Sequence, residues 1–170
     1  MALGKVFFIL IMPLIQLATI IQAPLERVFH LSRSIVLHQQ SMQQKNEKAI
    51  RGKTHGFIEK DETVTWQARH LFRTRIMTVK IISMAPPYFF EDIMIEGDFK
   101  TMSHKHFFKA FAEGTVMTDE FYFESPYGMF GKLINIFFLT RYMRSLLVKR
   151  NMVIKEFAES DKWKTILLQS

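Results

Sequence analysis

The sequence has 170 residues, the length of one domain, and a chain of this size buries roughly 70% of its unfolded surface, enough for a substantial core. Seventeen Phe against four Tyr and two Trp are more large apolar surface than a minimal core requires, a surplus suited to lining a cavity. The formal net charge is +7, but no run of five basic residues and no zinc finger, RNP aromatic motif or basic zipper occurs, so no nucleic acid partner is expected; the lack of cysteine excludes disulfides, thiolate metal sites and cysteine nucleophiles.

Val6 to Ile15 form an apolar run, VFFILIMPLI, behind a single Lys5. The run and its continuation to Ala23 have the three-part form of a secretory signal, although Ile21 stands where a small residue is expected before cleavage. Pro13, Gln16 and Gln22 interrupt the segment, so it falls short of the about 20 apolar residues that cross a membrane. A competing reading makes Leu14 to Gln22 a β-strand ended by Pro24. This reading is preferred, because cleavage after Ala23 would delete a strand that the downstream architecture needs. Residues 1–13 are then an apolar extension, either signal-like or an over-extended start with Met12 as the functional beginning. The strand reading implies a cytoplasmic protein, the signal reading an exported or membrane-associated one.

After Pro24, Leu25, Val28, Phe29 and Leu31 recur at helical spacing up to Ser32, and Ser34 is placed to cap a second short helix carrying Ile35, Leu37, His38, Ser41 and Met42. From Gly52 onward β-branched and aromatic residues dominate in short segments separated by turn residues. Strands are predicted at about 53–59, 63–72, 74–84, 88–96, 99–112 and 115–125. The breaks are Lys60-Asp61-Glu62, the region of Arg73, Pro86-Pro87, Gly97-Asp98, Glu113-Gly114 and Pro126. Short links between consecutive strands favour an antiparallel meander. Beyond Tyr127-Gly128 the period is helical again, with Leu133, Ile136, Phe137, Tyr142, Met143, Leu146, Leu147, Val153, Ile154 and Phe157 on a broad apolar stripe over about 129–159. Such a helix needs a large partner surface, which a curved sheet of seven strands supplies. Arg141, Arg144, Lys149 and Arg150 are expected on its solvent side, where transient contact with an anionic membrane is the functional alternative to a plain solvated face.

The order strand, two short helices, six strands, long helix is similar to that of the START-like, or SRPBCC, superfamily, which includes polyketide cyclases, birch-pollen-type allergens and lipid-transfer domains. The stretch IQAPLERVFHLSRSIVLHQQSM resembles its passage from first strand to helices. ETVTWQARHLF, SHKHFF, GTVMTDEFYFESPYGMFGKL and RYMRSLLVKRN resemble segments of an uncharacterised bacterial subgroup. The resemblance covers about Leu14 to Ser160. It implies an α+β helix-grip fold: a seven-stranded curved antiparallel sheet wrapped around a long C-terminal helix, as a single domain over 14–160 with a tail at 161–170. Labels attached to some members, such as cyclase or cell-division inhibitor, find no explanation in these residues.

Alternation along the strands divides inward from outward side chains. In the last strand Met117, Asp119, Phe121 and Phe123 share the apolar face, which places a carboxylate inside. In the strand before it, Met102, His104, His106 and Phe108 oppose a face with two lysines. Val64, Trp66, Ala68, His70 and Phe72 form a third inward set. In the 88–96 strand, Phe90, Asp92 and Met94 compete with Phe89, Glu91, Ile93 and Ile95. The expected ligand-binding wall is therefore Trp66, His70, Met102, His104, His106, Met117, Asp119, Phe121 and Phe123, with His104, His106 and Asp119 as its polar spot. A buried carboxylate is costly unless paired, so an imidazole or another donor is expected beside Asp119.

Three roles for that spot stand: a satisfied structural pair, a polar anchor for a ligand, and acid/base equipment for enolisation or dehydration. His104-x-His106 with Asp119 offers three ligating groups, but no second tight pair accompanies them, and no metal is expected. No cofactor is implied, since phosphate-cradling Gly-rich loops, Gly-x-Ser-x-Gly and His-Glu-x-x-His are missing. The segment Tyr127-Gly128-Met129-Phe130-Gly131 is either a plain strand-to-helix loop or a hinge at the pocket mouth. The first functional expectation is binding or carriage of a hydrophobic small molecule such as a lipid, isoprenoid or polyketide. A cyclase or dehydratase acting on such a ligand is the second, and an interaction or regulatory module with a vestigial pocket the third.

Overall fold

The structure, a computed structural model, describes residues 14–124 and 129–168, without the side chains of 129–136. The expectations for residues 1–13, for the break at Pro126, for the Tyr127–Gly131 hinge and for Leu133 and Ile136 lie outside the described residues. In chain order the elements are β1 (Leu14–Ile21), α1 (Leu25–Ser32), α2 (Ile35–Ser41), a 3-10 turn, β2 (Lys48–Gly52), β3 (Thr63–His70), β4 (Arg73–Ala85), β5 (Phe89–Glu96), β6 (Thr101–Phe111), β7 (Gly114–Glu124), α3 (Met129–Glu159) and α4 (Trp163–Leu167). The seven strands form one antiparallel sheet in the order β1-β7-β6-β5-β4-β3-β2, so the first and last strands pair and the rest is a meander. This is the helix-grip arrangement: a curved sheet, two short helices after the first strand and a long C-terminal helix.

Local chemistry accounts for most of these elements. Along β7 buried and half-buried residues alternate without a break, the period-two signature of a strand with one face on the core. The Ser34 hydroxyl accepts from the Leu37 amide at 3.2 Å and caps α2, while Leu25, Val28, Phe29 and Leu31 turn one face of α1 into the core. Phe29 packs edge-on against Phe90 and Phe108, which ties α1 to β5 and β6. Burial of an aromatic side chain of this size contributes about 2–3 kcal/mol. The β6–β7 turn abuts the end of β1 so closely that a Cβ on Gly114 would lie 2.2 Å from the Ile21 carbonyl oxygen.

Three expectations about elements are corrected. The strand expected at 53–59 is not in the sheet; β2 is Lys48–Gly52, and the 56–58 segment pairs instead with the link between α1 and α2. There the Ile35 amide donates to the Gly56 carbonyl at 3.0 Å and the Ile58 amide to the Arg33 carbonyl at 3.1 Å. As an edge strand with a register shift between Ala49 and Arg51, β2 has almost no apolar face to betray it. β3 ends at His70, not at 72, because Leu71-Phe72 form a two-residue turn; Phe72, expected inward, is 93% exposed. The stretch expected as a tail contains α4, whose Ile166 is buried and whose Trp163 ring lies under the Arg27 guanidinium at 4.5 Å.

Candidate functional site

Helix α3 closes the concave side of the sheet, and between them lies a cavity of about 300 Å3 walled mostly by apolar side chains. Leu139, Met143, Leu146 and Leu147 face it from α3, and Val64, Val79, Ile81 and Met102 from the sheet. Their spacing of three and four along the helix and of two along each strand is the reason these residues meet. Phe137, expected on the inner stripe, is 76% exposed.

Two polar clusters interrupt the apolar wall. The inner one stands on β5, β6 and β7. His104 Nε2 is 2.9 Å from Asp119 Oδ1, and His106 Nε2 is 3.2 Å from Asp92 Oδ2. His106 Nδ1 also lies 3.0 Å from Asp119 Oδ1 but out of line for a hydrogen bond. The His106 ring stacks on Phe90 at 4.0 Å and lies tilted against His104 at 3.8 Å. Asp119 is fully buried and is held from the helix side as well: Arg150 donates to Oδ1 at 3.2 Å and Asn151 Nδ2 to Oδ2 at 2.6 Å. Arg150 Nη2 also donates to the Ser32 carbonyl at 3.2 Å, which links α1, α3 and the sheet.

Burial by itself would raise the Asp119 carboxyl, but the contacts from His104 and His106 and the Arg150 charge outweigh it and hold Asp119 well below the usual carboxylate range. Burial, followed by the neighbouring His106, lowers His104 to about 4, against the opposing pull of Asp119. At neutral pH His104 is therefore a neutral imidazole. With Nε2–H directed at Asp119, its Nδ1 is a hydrogen-bond acceptor on a ring that lines the cavity. Asp92, His104 and His106 bring one ligating atom each within 4.8 Å of one another. A tight tetrahedral shell needs separations of roughly 3.3 Å. Each Nε2 is committed to a carboxylate, and Arg150 already supplies the positive charge.

In the outer cluster Trp66 and His70 are among the residues expected on the wall, whereas His38, Glu47 and Tyr142 are not. His38 Nε2 meets Glu47 Oε1 at 2.6 Å, the Glu47 side chain is largely buried, and the His38 ring stacks on Trp66 at 4.3 Å. His70 Nδ1 is 2.7 Å from the Tyr142 hydroxyl, and its Nε2 is 4.0 Å from Glu47 Oε2. Burial lowers His70 below its ordinary value, with Glu47 opposing. The two clusters stand on β6 and β3, three steps apart in the sheet and so roughly 14 Å apart at about 4.8 Å per step.

Of the residues expected on the wall, Trp66, His70, Met102, His104, His106 and Phe121 line the cavity, as does Asp92, the side of whose strand was open. Met117, Asp119 and Phe123 do not reach it. They point inward as expected, but β7 lies beside β1 and beneath the helices, so Met117 packs against Ser32, Phe123 against Phe99, and Asp119 sits behind the histidines. Arg150, expected in solvent, is 5% exposed. A signal was present: Arg150 is four residues after Leu146, three after Leu147 and four before Ile154, all buried, so it continues the inner stripe. Arg141, Arg144 and Lys149 are exposed. Among the described residues no helix is long and apolar enough to cross a membrane.

No family model and no curated protein matches the chain significantly. Solved structures do. TTHA0849 from Thermus thermophilus is 18% identical with a TM-score of 0.65, over 84% of this chain and 97% of that one. KanY is 11% identical with a TM-score of 0.67, over 88% and 99%. Major latex-like protein 151 of Panax ginseng is 14% identical with a TM-score of 0.63, over 86% and 97%. At such identities the likeness is one of fold, and with the sheet order and the gripped helix it identifies the chain as having the helix-grip fold.

Proposed function

We propose that this protein binds an elongated, largely apolar small molecule, of the lipid, isoprenoid or polyketide kind, that carries a polar group at each end. The observation behind this reading is the apolar cavity of about 300 Å3 with two hydrogen-bonding clusters in its wall, on strands β6 and β3, three steps apart in the sheet. Pockets of this design gain affinity from the apolar wall and orientation from a few placed polar groups. At the inner end His104 Nδ1 accepts a hydrogen bond from a ligand hydroxyl, with Asp119 fixing the tautomer and Arg150 and Asn151 fixing Asp119. At the outer end Glu47, His70 and Tyr142 offer both donors and acceptors.

The Asp119–His104 pair resembles the equipment of a general base, which favours a cyclase or dehydratase as the second reading. Its depressed basicity argues for the first. An imidazole lowered to about 4 has little drive to take a proton at neutral pH, yet it remains a good acceptor. An open, lined cavity of this size argues against a vestigial pocket.

Native mass spectrometry of the purified full chain tests the proposal, with an apolar adduct as the expected result. A chain that carries no adduct and fails to take up the fluorescent probe anilinonaphthalene sulfonate in its folded state overturns it. His104→Leu should weaken binding of a hydroxylated ligand by about 1 kcal/mol, the worth of one neutral hydrogen bond, and leave its deoxy analogue unaffected. Turnover of any bound ligand that disappears in His104→Leu would move the assignment to the enzyme.

A further inference from the structure

The turn between β3 and β4 has a composition that hairpin chemistry does not explain. His70 pairs with Arg73, leaving Leu71 and Phe72 as the two turn residues, with φ of +49° and +66°. Two consecutive left-handed residues are the preserve of Asn-Gly and similar pairs, because a bulky side chain is strained there. Here the turn carries two large apolar side chains, and Phe72 is 93% exposed. The tip is not isolated. His70 bonds to Tyr142 at 2.7 Å, and Tyr142 stacks on Phe138, so the tip stands on the side of α3 that carries Phe138, 55% exposed and next in sequence to Phe137, 76% exposed. Leu71, Ile76, Leu139 and Tyr142 line the cavity from the same side, which sets this apolar face at the cavity rim.

The exposed charge beside the tip is mostly positive, since the nearby carboxylates Glu47 and Asp98 are paired with His38 and Arg75. From Thr63 to Phe90 the chain contains Arg69, Arg73, Arg75 and Lys80 and no carboxylate, and α3 has none before Glu156. Arg69, Arg73 and Arg141 are exposed, while Arg75 is paired with Asp98 at 2.8 Å. A protruding aromatic tip ringed by arginines matches an anionic lipid surface, where the apolar side chains enter the boundary of the acyl chains and the guanidinium groups meet phosphate.

We propose that the Leu71–Phe72 tip and the Phe137–Phe138 face dock this protein on an anionic bilayer with the cavity rim against the headgroups. An apolar ligand then passes between bilayer and cavity without crossing water. The docking is independent of what the cavity holds, and the two proposals fail separately.

Co-sedimentation of the full chain with phosphatidylcholine vesicles, with and without phosphatidylglycerol, tests it. Binding is expected only with phosphatidylglycerol and should weaken with added salt. Phe72→Asn should lose about tenfold or more in vesicle affinity, because an aromatic side chain no longer leaves water. It should also melt at a temperature no lower than the parent, because Asn tolerates the left-handed backbone. Its uptake of anilinonaphthalene sulfonate should be unchanged. Arg69→Gln and Arg73→Gln should each cost about fivefold. The proposal is overturned if the parent ignores anionic vesicles or if Phe72→Asn binds them as well as the parent does. It is equally overturned if Phe72→Asn instead dissolves a dimer in sedimentation velocity, which would make the face a contact between copies of this chain.

Discussion

The two polar clusters of the cavity use the same residue types and differ in how they are held. In the inner cluster a fully buried carboxylate, Asp119, receives donors from the neighbouring strand and a helix, so none of its partners can move without exposing a charge to an apolar interior. The outer cluster sits at the rim, where Glu47 follows the 3-10 turn and meets a half-buried His38, with His70 and Tyr142 alongside. Water can replace a lost partner there. The inner cluster is therefore tied to stability, and the outer one can change with little cost to the fold.

The sharpest way to break this contrast is Arg150→Met. It leaves Asp119 buried without its fixed positive partner and should cost about 3–5 kcal/mol in urea denaturation, while the double replacement Arg150→Met with Asp119→Leu should recover most of the loss. A single-variant cost below about 1 kcal/mol would mean that the inner cluster is not an electrostatic unit.

A pH series gives the next largest effect. His104 titrates near 4 in the folded protein against an ordinary value of 6.5, so the unfolded chain takes up the proton first as pH falls. The contribution is complete above pH 6.5 and is lost as pH drops towards 4, by about 3 kcal/mol. Asp119, held well below its ordinary 3.8, adds a further loss only below that pH. The urea midpoint of His104→Asn should be correspondingly flatter between pH 6.5 and 4.

At the outer cluster Glu47→Gln should change stability by less than about 1 kcal/mol, because His38 and His70 remain part-exposed to water. Its effect should appear in ligand titration. A loss of stability as large as that of Arg150→Met would erase the distinction between the clusters.

Legibility in the sequence followed the range of the interactions. The alternation of β6 and β7 reveals His104, His106 and Asp119 as inward-facing, because which side of a strand a residue occupies depends only on its neighbours two positions away. Arg150 and Asn151 escaped because a charge on an amphipathic helix reads as a solvated face unless its place on the apolar stripe is counted. His38 reads only as a member of the second short helix, and Glu47 lies in a stretch whose polar composition reads as a loop. Nothing nearby in sequence shows that Trp66, His70 and Tyr142 close over them.

The sequence by itself determined the order of elements, the gripped helix, the surplus of apolar side chains and the inward direction of the two histidines and the aspartate, since local periodicity and turn chemistry carry that information. Only the tertiary structure decided that Asp119 lies behind the cavity wall, that Arg150 turns in to meet it and that a second polar cluster lines the same cavity. Those facts depend on how α3 is seated across a curved sheet, which brings together residues 31 and 72 positions apart in the chain.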